Sequence, residues 1–160
     1  MFHRDYIMRQ IIQLVEVFQR IVGLTKGGQF EAALSIIDHE LEQLLGLNSG
    51  AVAKIGSRSL IAFATFDDRQ PVDNAKQAAA AGLLRQAGAI YALQGRDDDS
   101  YACYLSALDL LLDARLDAPD LAFPEITPPV EALTAVLDYY LLPRDTIARL
   151  MQYFEQVGAF

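Results

Sequence analysis

Gly88-Ala89-Ile90-Tyr91-Ala92-Leu93-Gln94-Gly95, followed after a short acidic turn by Tyr104-Leu105-Ser106-Ala107-Leu108, decides how this chain folds. Small and apolar residues recur at helical spacing up to Gly95, and the same spacing resumes after Asp97-Asp98-Asp99. Two antiparallel helices packed through small residues satisfy that pattern. A similar order runs through Leu24-Thr25-Lys26-Gly27-Gly28-Gln29-Phe30-Glu31-Ala32-Ala33-Leu34. A hairpin used twice predicts a stack that presents a surface, and neither copy carries catalytic chemistry.

Working outward, Tyr6 to Lys26 reads as the first helix. Its apolar residues, from Ile7 through Val15, Phe18 and Val22 to Leu24, cover an arc of roughly 240° at 100° per residue. Only Asp5, Arg9, Gln13, Glu16 and Arg20 form a polar strip. A helix resting on one neighbour needs an apolar stripe little wider than about 100°. This helix is therefore expected to be covered from two sides, by two helices or by a second subunit. Gly27-Gly28 stops it, and a partner helix follows from about Phe30 to Leu45, completing a hairpin over 6–45.

The region 51–72 reads as a variable short helix, with Ser57 as its candidate cap. The second hairpin spans 74–116. Its first helix holds the run Ala78 to Ala81 with Gly82 and Gly88, residues that let a neighbouring helix approach closely. Asp97, Asp98 and Asp99 open the second helix, where carboxylates favour the free N–H groups and the dipole. That helix also has a wide apolar arc, and Asp99, Ser106, Asp109 and Asp113 are expected to be its solvent strip. Prolines 119, 124, 128 and 129 forbid regular helix in a connector over 117–129, whose Leu121, Phe123 and Ile126 are expected to lie on the body. A third helix pair is expected over 130–158. The expected fold is all-α, a single domain of six or seven helices arranged as stacked antiparallel hairpins, in a superhelix or a compact bundle.

Composition narrows the function classes. The 160 residues are 52% hydrophobic, enough for a sizeable core. The longest apolar runs fall far short of the ~20 residues that cross a bilayer, and the opening residues lack the pattern of a secretory signal. The expected address is the cytoplasm. Cys103 is the single cysteine, which rules out an internal disulfide and a cysteine zinc cage. Net charge is −8, and between Asp97 and Asp138 ten acids face one base, Arg115. Such a field repels phosphate backbones and anionic lipid, so no nucleic acid and no membrane are expected; the acids read first as an ordinary solvated surface, with a basic protein as the alternative partner.

These hairpins resemble tetratricopeptide repeats, pairs of helices about 34 residues long that stack on the next pair. The resemblance rests on Leu84, Gly88, Tyr91, Gly95, Tyr104, Ala107 and Leu108, and upstream on Leu24, Gly28, Phe30, Ala33 and Leu41. Ser100 stands where that repeat prefers alanine. The opening block Phe2-His3-Arg4-Asp5-Tyr6-Ile7-Met8-Arg9-Gln10-Ile11 is similar to that of uncharacterised bacterial proteins of this type. The resemblance implies a protein-binding module whose concave face is lined by Val15, Phe18, Val22, Arg85, Gln86 and Ala89. It does not extend to a clamp for a partner's C-terminal carboxylate, because Ala89 occupies the position that would need an amide.

Catalytic constellations were sought in the residues. His39 has no second histidine four residues later, as a metalloprotease helix would need, and neither glycine-rich phosphate motif occurs. No Glu-x-x-His pair of a bundle metal centre is present. A non-catalytic interaction or scaffold protein without cofactor or metal is the expected function. The alternatives are a self-assembling structural protein, a homodimer in the simplest case, and a small-ligand sensor with a pocket between the Ala-rich helix and the proline connector.

Overall fold

Two identical helix stops organise the chain. In the computed structural model, which describes residues 2–55, 71–137 and 142–158, α1 runs Phe2–Lys26 and α2 runs Phe30–Leu45. Further on, α3 covers Ser49–Ile55, α4 Pro71–Leu93 and α5 Asp97–Asp117. After α1, Gln29 N–H donates to the Leu24 carbonyl at 2.9 Å and Gly28 N–H to Thr25 at 3.1 Å. After α4, Arg96 N–H donates to Tyr91 at 2.8 Å and Gly95 N–H to Ala92 at 3.1 Å. Both are Schellman turns, and both need a left-handed residue at the bend. Gly28 at φ 75° and Gly95 at φ 76° supply it, and each next helix begins two residues later.

The two hairpins differ in how their helices are joined. Between α4 and α5 the contact is the most extensive among the described elements. Asn74 and Gln77, in the first turns of α4, donate to Asp117 and Asp113 in the last turns of α5, at 2.8 and 2.9 Å. At the opposite end Ser100 donates to the Gly88 carbonyl at 2.7 Å. Those pairs establish the antiparallel register. A Cβ on Gly88 would stand 3.0 Å from the Tyr104 ring, so glycine there sets the spacing of the pair.

Helix α1 packs on α2 and on α4, so two helices do cover it from two sides. Ile11, Leu14 and Ile21 are buried in that contact, and the strip Asp5, Arg9, Gln13, Glu16 and Arg20 is exposed. Coverage is incomplete, since Met8 and Ile12 stay exposed, Ile12 at 67%.

Helices α6 (Val130–Leu137) and α7 (Arg144–Gln156) both pack on α5, as does α3, making α5 the central rod. All described elements are helices; seven are present among the described residues. Here the expected solvent strip of α5 needs correction. Ser106 and Asp109 are buried, Asp109 to 4% exposure, and Thr146 of α7 donates to Asp109 Oδ1 at 2.8 Å. The carboxylate is covered because α7 brings a hydroxyl to satisfy it, which is what a buried polar group requires. Gly50 lies inside α3, which Asn48 caps by accepting from Ala51 N–H at 2.8 Å. The Ser57-capped helix proposed within 51–72 lies outside the described residues.

The connector 118–129 is pinned to α4 and α5. Arg115 lies 4.2 Å from the Phe123 ring centroid, and Ile126 and Pro128 are buried. A Cβ at Gly82 would overlap the Ile126 carbonyl oxygen, so the connector's backbone touches α4 where no side chain intervenes.

Candidate functional site

Five of the six residues expected on the concave face come together. Val15 and Phe18 of α1 and Arg85, Gln86 and Ala89 of α4 line one cleft of about 580 Å³. Val22, one turn further along α1, does not line it. The far wall is the connector, through Glu125, Ile126, Thr127, Pro128 and Pro129, with Tyr104 and Val136 at the base. The mechanism is direct: α1 and α4 lie side by side, and the connector crosses α4 at Gly82, leaving a trough along α1.

A second cleft of about 480 Å³ continues along α1, sharing Val15 and Glu125 with the first. Met8, Ile12, Ala122, Phe123 and Pro124 make it mostly apolar, and Glu16 is its charged rim. The sensor alternative placed a pocket between the Ala-rich helix and the connector; that the connector also faces α1 across both clefts was not foreseen. Its apolar residues signalled attachment to the body, but nothing local states which groove a proline segment will border.

Polar groups in the first cleft are incompletely used. Arg85 is half-buried, and neither it nor Gln86 has a hydrogen bond or ion pair among the described residues. Thr127 Oγ1 is buried without a partner.

At the other side of α2 lies a polar cluster that the sequence did not reveal. Ser49, fully buried, donates through its hydroxyl to Asp38 Oδ1 at 2.6 Å and through its N–H to the same oxygen at 2.9 Å. The Tyr91 phenol lies 2.8 Å from Ser49 Oγ. Burial raises the Tyr91 pKa above its ordinary range, against the opposing pull of the Ser49 bond. Arg96 stacks 4.5 Å over the Tyr91 ring and pairs with Asp99 at 2.7 Å. This cluster ties α2, α3 and α4 together, and its hydroxyl is sealed from solvent. Cys103 is buried, and loss of hydration pushes its thiol up to about 12. His39 is exposed on α2. Among the described residues no three His, Cys, Asp or Glu side chains are grouped to hold a metal, and no helix is long and apolar enough to cross a membrane.

Comparison with protein-family models, with curated proteins and with solved structures gives no match.

Proposed function

We propose that this chain is a non-catalytic interaction module that receives a protein segment along the α1–connector trough. The observation that supports it is a pair of neighbouring clefts along one helix, which share Val15 and Glu125 and have Phe18, Ile12, Phe123 and Ile126 among their other lining residues. Apolar grooves of this shape suit a segment that inserts side chains at intervals, as grooved peptide-binding surfaces do. The stacked hairpins hold the two walls at fixed separation, so the surface needs little ordering on binding.

Phe18→Asp places a charge in the trough and is expected to abolish capture of a selected peptide, with far-ultraviolet circular dichroism unchanged. A folded Phe18→Asp protein that keeps every partner of the parent would remove this reading.

A self-assembling homodimer has one observation in its favour, the exposed pair Met8 and Ile12, one turn apart on α1. Sedimentation velocity across low to high micromolar concentration decides it; a single monomer boundary throughout eliminates the dimer.

A further inference from the structure

The trough is polarised. Among the described residues Arg85 is the only base lining either cleft, and Glu16 and Glu125 are the only acids. Glu16 stands in the apolar cleft, Glu125 at the junction, and Arg85 in the larger cleft. We propose that the Arg85 end reads a side-chain carboxylate, and that the segment received here carries Asp or Glu next to a large apolar residue. This rests on the trough being the binding surface.

Two features carry it. Arg85 is half-buried and has no hydrogen bond or ion pair among the described residues, and its planar fork of N–H donors suits a carboxylate. Phe18, Ile126 and Pro128 line the same cleft, and apolar neighbours strengthen a charge-assisted bond. The occupant is a peptide rather than a compact small molecule because the second cleft, which shares Val15 and Glu125 with the first, lengthens the lined surface along α1.

Charge complementarity fixes the direction. A carboxylate binds at Arg85, the neighbouring apolar residue lies against Phe18, and a following base sits favourably near Glu125 and Glu16. The net charge of −8 predicts a broad preference for basic partners; the local preference at Arg85 runs the other way.

The test is selection of random dodecapeptides displayed on phage against the whole protein and against Arg85→Glu and Phe18→Asp, each checked for native circular dichroism. Enrichment of Asp or Glu beside a large apolar residue on the parent is expected, replaced by Lys or Arg on Arg85→Glu. In fluorescence anisotropy the best parent peptide, with both ends blocked, should bind about tenfold more weakly when its acid becomes Asn or Gln, and that difference should shrink at high salt. Peptides that need Phe18 but show no acid enrichment overturn the carboxylate inference and leave the trough reading intact. Selection yielding no peptide that Phe18→Asp abolishes overturns both.

Discussion

Gly82→Ala is the sharpest probe of how the connector is held, because two opposing effects act at one atom. Alanine in a helix interior is favoured over glycine by about 1 kcal/mol. At Gly82 the added methyl would overlap the Ile126 carbonyl oxygen and stand 3.2 Å from its carbon, both backbone atoms that cannot rotate aside. Relief requires the connector to retreat, exposing part of Ile126, which is now 8% exposed. Overpacking of this kind costs roughly 1–3 kcal/mol. The matched control is Gly23→Ala, another glycine inside a helix, with nothing within 4 Å of its Cβ position. Gly23→Ala is expected to raise stability by about 0.5–1 kcal/mol. Gly82→Ala should fall about 1–3 kcal/mol below that control. Urea unfolding followed by circular dichroism reads the difference, with equal slopes confirming that only stability moved. Equal stabilisation by both substitutions would refute the packing of the connector on α4.

Two further expectations concern buried polar groups. Thr146→Val removes the hydroxyl that donates to the buried Asp109 while keeping the side-chain shape, and should cost about 1–3 kcal/mol. Thr134→Val, at a partly exposed hydroxyl bonded only to its own helix, should stay within about 0.5 kcal/mol, and equal urea midpoints for the two would contradict the Asp109 assignment. Alkaline pH should destabilise the fold through Cys103. Below its ordinary pKa of 9.0 the thiol is protonated in both states, but between 9.0 and about 12 it ionises only when unfolded, so stability falls with rising pH across that window. Cys103→Ala should flatten the fall, and an unchanged slope in that variant would assign it elsewhere, Tyr91 included.

The hairpins were legible because their signals are local. A glycine two residues before the next helix, small residues at one-turn spacing and an apolar face repeating at 3.6 residues specify α1–α2 and α4–α5 without knowledge of the rest. The polar strip of α1 was equally legible, since no later element of the described structure covers it. The strip of α5 was misread for the opposite reason. Ser106 and Asp109 sit on a polar face, and Asp109 becomes interior with the arrival of α7, whose Thr146 lies 37 residues on in sequence. Ser100 shows the same limit on a smaller scale: a departure from alanine became a hydroxyl bonded across the helix pair to Gly88. The α1 and α4 residues that share the first cleft were named from the resemblance to a helical repeat, whereas the connector wall depends on a single backbone contact at Gly82.

The acidity of the chain has to be reconsidered in the same light. Composition places ten acids against one base between Asp97 and Asp138 and suggests a strong negative field. Asp109 is buried on Thr146 and Asp113 half-buried on Gln77, whereas Asp117, bonded to Asn74, and Asp99, paired with Arg96, stay at the surface. Asp109 keeps its charge but is shielded by the helices around it, and the exposed Asp97, Asp98 and Asp117 line neither cleft. What a partner meets in the trough is therefore set by a few lining groups, Arg85 foremost, and only weakly by the sum over the chain. Neutralising exposed acids away from the trough, as in Asp97→Asn with Asp98→Asn, should consequently change the affinity of a trough-bound peptide far less than Arg85→Glu does. An equal change from both would return the recognition to the overall charge.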